Sequence, residues 1–312
     1  MQRLIYMLLL LAVALQHVAA QPFAAGWLTC QECPDSSCVW FRRTFVAAER
    51  PCCASVCVAS DSRFVLYVNG RNVSTALYMP ACGGGSSRVA AVTFDVTRFL
   101  RPDSNTVALL VCPSLPQVAA PWVAADFFGI ADGGHRFAYS GVAGWLCRPA
   151  GTRLTPDGEL YDSRLDSLSS AGGDMALVEW MPAVPAEGGV ATLSDIGVSA
   201  ESVFGYSVNG CNVLADDAVR VGGIVVPLRR EVHGDTVVCD FTPGLCGFVR
   251  VTLRGCRRGE RIRIGNLTYI CSGYDDEQAF CRFTPQYFRS VIITGDSGFC
   301  TEQVQEVEAL CI

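Results

Sequence analysis

The chain has 312 residues, of which 50% are hydrophobic and 17% are charged, and its formal net charge is -6. This length is enough for two domains of ordinary size, and the hydrophobic fraction is too high for a disordered chain. All 24 basic residues are arginine, so the sequence lacks the lysine that a Walker phosphate loop, a Schiff-base enzyme or a pyridoxal-phosphate enzyme requires. The acidic balance also argues against a sequence-independent grip on nucleic-acid phosphates, and we predict no nucleic-acid partner.

The first twenty residues are organised like a secretory signal. Arg3 provides the positive start, residues 4–15 form an apolar run, and Val18-Ala19-Ala20 places small residues at the cleavage positions. The apolar run is too short to span a bilayer, which takes about 20 residues in a helix. We therefore predict cleavage after Ala20 and an exported chain without a membrane span, which is secreted, periplasmic or on the cell surface.

The 17 cysteines suit an oxidising compartment, and because their number is odd, at least one thiol has no partner within the chain. Two clusters flank the predicted strand Val39–Val46, and we expect disulfides between the two clusters. A four-thiolate zinc site drawn from the same clusters is the alternative. Several other cysteines lie singly in apolar runs, where a cysteine acts as a small buried hydrophobe. The candidate disulfide residues are Cys30, Cys33 and Cys38 in the first cluster and Cys52, Cys53 and Cys57 in the second.

Short β-type runs separated by turn residues make up most of the remaining chain, a pattern typical of sandwiches and barrels. Asn69-Gly70 closes the run "RFVLYV" and predicts a tight hairpin, because both residues tolerate a positive φ. Asp132-Gly133-Gly134 predicts another hairpin. The segment Gly247–Gly255 alternates apolar and polar residues, as a strand does when one face of its sheet is buried.

The composition divides the exported part of the chain into two domains. Residues 152–189 are richer in Gly, Pro, Ser and Ala than their surroundings, and we interpret them as a connection that is wrapped on the first domain. The predicted fold class is all-β. The predicted organisation is a signal peptide at 1–20, a β-sandwich with its connecting segment at 21–189 and a second β-sandwich at 190–312.

Several segments resemble one family when they are taken in order. "VWFRRTF" at Val39–Phe45, "FVLYVNGRNV" at Phe64–Val73 and "FDVTRFLRPDSNTVALLV" at Phe94–Val111 are similar to the N-terminal β-sandwich module of bacterial α-L-rhamnosidases. "VVCDFTPGLCGFVRVTLRG" at Val237–Gly255 and "FTPQYFRSVIITG" at Phe283–Gly295 resemble the next module of the same enzymes. The resemblance implies a galactose-binding-like jelly roll followed by a concanavalin-like sandwich. In the family a large helical barrel with the catalytic carboxylates follows, and this chain ends at Ile312, so we carry over no catalytic residue.

Aromatic rings stack on the apolar faces of sugars, so the tryptophans near loops are the candidate carbohydrate-binding residues, with a role in the core as the alternative for each. The acidic pairs lie in predicted turns, where neighbouring carboxylates diverge rather than converge on one substrate. We interpret these turns as solvated, with a calcium site as the alternative and no other cofactor. The candidates are Trp27, Trp122, Trp145 and Trp180 for carbohydrate, and Asp240, Asp275 and Asp276 for calcium.

These observations predict an exported, non-catalytic β-sandwich protein that is associated with glycans. The expected partner is a glycan, with a rhamnose-containing polysaccharide as one candidate. Two alternatives remain open. The chain is a truncated or split α-L-rhamnosidase whose barrel lies on a partner glycosidase chain, or it is a structural or assembly protein.

Overall fold

The computed structural model describes residues 26–74, 76–79, 91–114, 120–166, 180–186, 198–201, 207–208 and 218–312. Regular structure in these residues is almost entirely β, with single 3-10 turns at Thr97–Phe99 and Thr301–Gln303, and the predicted all-β sandwich class is confirmed. The predicted leader and the predicted boundary between residues 189 and 190 lie outside the described residues. Within the described ranges, no helix is long and apolar enough to cross a membrane.

The first half of the chain contributes short and medium strands to two facing sheets. They are β1 (Leu28–Thr29), β2 (Ser37–Val46), β3 (Pro51–Ser60), β4 (Arg63–Val68), β5 (Arg71–Asn72), β6 (Ala91–Asp95), β7 (Ser104–Cys112), β8 (Val123–Ala131), β9 (Arg136–Tyr139), β10 (Leu146–Thr155), β11 (Gly158–Asp162), β12 (Met181–Pro182) and β13 (Val184–Pro185).

The strands of the first half form the first sandwich, called here the first body. The second half contributes the strands of the second body. They are β14 (Val198–Glu201), β15 (Ser207–Val208), β16 (Gly223–Val225), β17 (Arg229–His233), β18 (Thr236–Arg254), β19 (Arg261–Ile264), β20 (Leu267–Ile270), β21 (Asp276–Phe280), β22 (Gln286–Gly295) and β23 (Val304–Cys311). Of these, β14 and β15 join the first half, because β14 pairs with β6.

One sheet has the strand order β13-β1-β8-β3-β6-β14-β15, with β9 also paired to β8. The other sheet runs β16-β23-β18-β22-β19-β20-β11-β10-β2-β7-β4-β5, with β12 beside β10 and with β17 and β21 beside β18. This second sheet passes from one half of the chain to the other where β11 pairs in parallel with β20, Leu160 lying opposite Thr268. Hydrogen-bonded strands therefore connect the two bodies directly.

The predicted hairpin at Asn69-Gly70 is confirmed. It joins β4 to β5, with Val68 opposite Arg71, and φ is 52° at Asn69 and 80° at Gly70. Positive φ at both central residues is what a type I′ turn requires, and its twist matches that of the flanking strands. The predicted alternation in Gly247–Gly255 is confirmed as well, since Val249, Val251 and Leu253 are all buried.

The strands β2, β4 and β7 form a middle layer that is buried on both faces. On β7, Val107, Leu109 and Val111 face the sheet that contains β3, β6 and β8, while Ala108 and Leu110 face the second body. Successive side chains of a strand point to opposite faces, so a strand covered on both sides needs an unbroken apolar run. The run "TVALLVC" at the end of β7 has this composition.

The second body is attached to the first through a buried carboxylate. Glu159 on β11 is 1% exposed, and its Oε1 accepts hydrogen bonds from the N–H groups of Phe283 at 2.7 Å and Thr284 at 2.6 Å and from the Thr284 hydroxyl at 2.8 Å. Its Oε2 accepts a bond from the N–H of Arg282 at 2.9 Å. Burying a carboxylate is costly unless its oxygens are hydrogen-bonded, and the 282–284 segment provides donors for both oxygens.

Other polar contacts surround this joint. The Arg282 guanidinium lies 4.6 Å from the Tyr161 ring and donates to the Tyr161 hydroxyl at 2.8 Å. From the first body, Arg63 donates to the Phe283 carbonyl at 2.8 Å. Each of these bonds pairs a group of one body with a group of the other. Because hydrogen bonds are directional, they fix how the two bodies are oriented at the joint.

A second buried carboxylate lies on β21. Glu277 accepts hydrogen bonds from the Tyr269 hydroxyl at 2.8 Å, from the N–H groups of Ser272 at 2.8 Å and Gly273 at 2.9 Å, and from the Ser163 hydroxyl at 3.1 Å. Burial by itself would raise the pKa of Glu277, but these donors favour the charged form and bring the pKa below its ordinary value. The Ser163 contact is a further bond between the two bodies.

We predict that Glu159→Ala destabilises the protein by about 3 kcal/mol or more, because it leaves several buried N–H groups without acceptors. Asp276→Ala is the matched control, since it removes a carboxylate whose ion pair with Arg254 is exposed and is expected to cost at most about 1 kcal/mol. Urea unfolding followed by tryptophan fluorescence measures both. Equal losses in the two variants would show that the Glu159 contacts do not hold the bodies together.

Candidate functional site

The hairpin between β8 and β9 forms one end of the first sandwich. The predicted turn at Asp132-Gly133-Gly134 is confirmed, with the Ala131 N–H donating to the His135 carbonyl at 2.9 Å. Strand β9 pairs with β8 alone among the described strands, so it is an edge strand with one free side. Cavities lie on both sides of this strand.

The first cavity, called here the aromatic cavity, has a volume of about 170 Å³. Tyr139 lies opposite Phe127 in the β8–β9 register, and their rings are stacked at 6.1 Å. Phe137 lies 5.4 Å from Phe127 and 5.8 Å from Tyr139, and Phe45 closes the inner wall at 5.0 Å from Phe127. Phe45 and Phe127 belong to the core, whereas Phe137 and Tyr139 are half-buried and continue that core to the surface.

Polar groups line the open side of the aromatic cavity. His135 Nδ1 lies 3.0 Å from each carboxylate oxygen of Glu49, and Arg136 contributes a guanidinium that makes no hydrogen bond or ion pair with another described residue. The hydrogen bond and the charge of Glu49 raise the pKa of His135 above its ordinary value. The rim therefore offers a cation, a carboxylate and an imidazole next to half-buried rings.

The second cavity, called here the outer groove, is an open depression of about 760 Å³ on the other side of β9. It shares Arg136 and Phe137 with the aromatic cavity. The rest of its wall combines apolar and polar groups from β3, β6, β8, β9 and the 3-10 turn that follows β6, namely Cys53, Ala54, Ser55, Asp95, Thr97, Phe128, Gly129, Ile130 and Ala138.

A bulge in β3 and a glycine in β8 shape the backbone beside the two cavities. Pairing of β3 with β8 shifts by one residue between Pro51 and Cys53, and such a bulge bends the strand and redirects its side chains. Gly129 lies opposite Phe137, and a Cβ at Gly129 would lie 2.1 Å from the Cys53 carbonyl oxygen. Only glycine allows β3 and β8 to approach this closely, and the Phe137 ring stands beside this side-chain-free position.

Half-buried rings beside hydrogen-bonding groups are the chemistry that binds sugars. The apolar C–H faces of a pyranose pack on aromatic rings, and its hydroxyls bond to carboxylate, imidazole and guanidinium groups. Binding sites in general combine an apolar wall with a few polar groups that fix orientation. The aromatic cavity and its rim have this composition, so they form the candidate glycan site.

The structure places the predicted tryptophans elsewhere. Trp145 is 2% exposed in the core of the first sandwich, so it presents no ring face to a ligand. Trp180 lies 4.9 Å from the Arg42 guanidinium and 5.2 Å from that of Arg148, contacts that already use its ring. Trp145 therefore has the core position that was the alternative for it, whereas Trp180 is half-buried and packs against the core of the second body, and a sugar-binding role for Trp180 stays a prediction.

The remaining tryptophans are half-buried. Trp27 packs with Phe128 on Cys57 and Ala59, and because Phe128 also lines the outer groove, Trp27 lies next to that groove. The backbone N–H of Trp122 donates a hydrogen bond to the Asp61 carboxylate at 2.9 Å. A sugar-binding role for Trp27 and Trp122 stays a prediction.

The predicted calcium ligands are not brought together. Asp240 lies near the start of β18, where it accepts bonds from Thr242, whereas Asp276 is paired with Arg254 at the far end of the same strand. Asp275 precedes Asp276, and its carbonyl accepts the N–H of Gly255. Among the described residues, no group of three or more His, Cys, Asp or Glu side chains is placed to hold a metal ion.

The disulfide in the structure joins Cys30 to Cys33 within the first cluster, and not the two clusters to each other as the sequence analysis expected. The two residues flank one tight turn, so their thiols meet locally. Cys38 is buried on β2, while Cys52, Cys53 and Cys57 lie on β3 in the opposite sheet. Flanking the same strand in sequence therefore does not bring the clusters together in space.

His135 is exposed and bonds to Glu49, which lies 86 residues away in the chain, and the aromatic side chains beside it were not among the predicted site residues. The available signal was the segment "HRFAY" directly after a predicted turn, in which two aromatic residues alternate as on one face of a strand. His233 does not line the aromatic cavity and bonds locally to Glu231 at 3.3 Å.

The fold is that of a part of the α-L-rhamnosidases. The enzyme from Dictyoglumus thermophilum superimposes with a TM-score of 0.75 at 19% identity over 91% of this chain and 35% of its own. The enzyme from Aspergillus terreus gives 0.75 at 15% identity over 92% and 36%. The enzyme from Streptomyces avermitilis, solved in complex with L-rhamnose, gives 0.69 at 20% identity over 89% and 28%.

The chain thus spans about a third of the length of these enzymes, and at this level of identity the likeness establishes the fold alone. No family model matches the sequence, and no curated protein does. The resemblance proposed from the sequence is confirmed at the level of the fold.

We predict that the pKa of His135 lies above the ordinary value of 6.5 and falls towards it in Glu49→Gln, because the amide removes the negative charge that stabilises the imidazolium. An NMR titration of the imidazole proton signals measures this pKa. Glu231→Gln, which changes the neighbour of His233 instead, is expected to leave the His135 titration unchanged. An identical His135 curve in wild type and Glu49→Gln would contradict the ion pair.

Proposed function

We propose that the chain is an exported, non-catalytic glycan-binding module whose ligand occupies the aromatic cavity. The observation that carries the proposal is the pair of half-buried rings, Phe137 and Tyr139, that open towards Glu49, His135 and Arg136. The likeness in fold to part of several rhamnosidases supports a carbohydrate as the ligand class. Export is supported by the predicted leader and by the cysteine content.

A rhamnose-containing glycan is the first ligand to test. Rhamnose is a 6-deoxy sugar, so it has a methyl group where other hexoses carry a hydroxymethyl, and this enlarges the apolar part that aromatic rings can cover. The Streptomyces avermitilis enzyme was solved with L-rhamnose, which supports the choice. The neighbouring outer groove gives a longer chain room to continue past β9.

We predict that the protein binds L-rhamnose-terminated oligosaccharides on a glycan array, and that Tyr139→Ala and Phe137→Ala each weaken the binding at least about tenfold, which corresponds to about 1.4 kcal/mol. The loss is expected because each substitution removes a ring face from the cavity. Isothermal titration calorimetry with the strongest array ligand measures the affinity. Tyr274→Ala is the matched control, because Tyr274 is an aromatic residue that is 73% exposed on the second body.

Two outcomes would contradict the proposal. An affinity that falls as much in Tyr274→Ala as in Tyr139→Ala would show that the aromatic cavity is not the site, and the absence of any array ligand would argue for the structural alternative.

The same preparation is expected not to hydrolyse an aryl α-L-rhamnoside. Hydrolysis that is lost in Glu49→Gln would show that the rim acts catalytically instead.

A further inference from the structure

Two buried cysteines face each other across the middle layer of the first sandwich. Strands β2 and β7 are antiparallel with Val39 opposite Val111, so the next position in register sets Cys38 opposite Cys112. Both residues are 0% exposed, and the neighbouring Cys112 thiol adds to the effect of burial in raising the pKa of Cys38. Directly opposite residues in antiparallel strands have Cα atoms about 4.5–5.5 Å apart, within the range of about 4.4–6.8 Å that disulfides span.

A second pair occurs in the other body. Cys256 follows β18 and Cys271 follows β20, and two backbone bonds hold the intervening turn closed: Gly259 donates to the Cys271 carbonyl and Cys271 donates to the Glu260 carbonyl, both at 2.9 Å. Cys256 and Cys271 are both buried, and the neighbouring Cys256 thiol contributes to the raised pKa of Cys271. Cys271 directly precedes Ser272, whose N–H donates to Glu277.

The surroundings of these pairs favour a bond between the sulfurs over a metal site or a reactive thiol. Among the described residues, no cluster that could hold a metal includes either pair. Burial raises the pKa of Cys38, and the Cys256 thiol and burial together raise that of Cys271, so the thiolate needed for nucleophilic chemistry is disfavoured in the folded protein. A disulfide fits such a site because it is apolar and needs no hydrogen-bond partner.

We propose that Cys38–Cys112 and Cys256–Cys271 are disulfides of the mature protein, formed while the chain folds. In each, two thiols lose two protons and two electrons to an external disulfide, such as oxidised glutathione, which is reduced to two thiols. One cysteine thiolate attacks the external disulfide, which releases one of its two thiols and leaves the other in a mixed disulfide with the protein. The second cysteine thiolate then attacks the mixed disulfide and displaces this remaining thiol. Because the folded sheets exclude solvent from both pairs, this exchange takes place before the strands close.

Each of the two disulfides would cross-link segments that lie close to the contact between the two bodies. Cys38–Cys112 ties β2 to β7 on the face of the middle layer that packs against the second body. Cys256–Cys271 ties the end of β18 to the end of β20, next to the turn that supplies donors to Glu277. Cross-links of this kind stabilise a protein chiefly by restricting the unfolded chain.

Two-step alkylation of protein secreted through an oxidising pathway tests the proposal. The chain is unfolded without reductant and treated with a first alkylating reagent, then reduced and treated with a second, and the labels are located by peptide mass spectrometry. We expect the second label on Cys38, Cys112, Cys256 and Cys271. The buried cysteines Cys239 and Cys281, which have no cysteine neighbour among the described contacts, are expected to carry the first label.

The variant Cys112→Ala is expected to move Cys38 from the second label to the first, and Cys271→Ala is expected to do the same for Cys256. The matched control Cys239→Ala also removes a buried thiol but is expected to change neither result. Non-reducing peptide mapping identifies the partners directly. The first label on all four cysteines of the wild type, or peptides that link Cys38 or Cys256 to any other cysteine, would overturn the proposal.

Discussion

The buried Glu159 carboxylate of β11 bonds to residues 282–284 of the second body and fixes the place where the two bodies meet. Three backbone N–H groups and one hydroxyl from residues 282–284 satisfy its oxygens, so a charge buried at 1% exposure is compensated by oriented dipoles and not by an ion pair. The joint keeps the second body against β2, β4 and β7, whose second apolar face would otherwise be open to water. Parallel pairing of β11 with β20 extends the same contact along the backbone.

Much of the fold could be predicted from the sequence, because turns and alternation are local properties. Asn69-Gly70 specifies its hairpin through the φ values it tolerates, and Gly247–Gly255 shows which face of β18 is buried. An unbroken apolar run such as that of β7 predicts burial but not the partner on each face. The sequence therefore could not predict that β2, β4 and β7 lie between the β3, β6 and β8 sheet and the second body. Only the register of β2 with β7 shows that Cys38 and Cys112 are neighbours.

The candidate site was predictable only in part. Tryptophans were favoured because of their large rings, but Trp145 fills the core and Trp180 stacks with arginines. The half-buried rings at the aromatic cavity are Phe137 and Tyr139, which become neighbours of Phe127 only when β9 folds back on β8. The aromatic cavity lies at an edge strand, beside a glycine and a bulge, and none of its lining residues belongs to the buried joint at Glu159.

The glycan is proposed to bind beside β9. Hydrogen–deuterium exchange of the full chain, with and without an L-rhamnose-terminated oligosaccharide, tests it most directly because every region reports at once. We expect slower exchange of the amides in residues 47–51 and 127–139, which contain most of the residues that line the aromatic cavity, and unchanged exchange in the second body. Protection confined to residues 218–312, or no protection at saturating ligand, would contradict it.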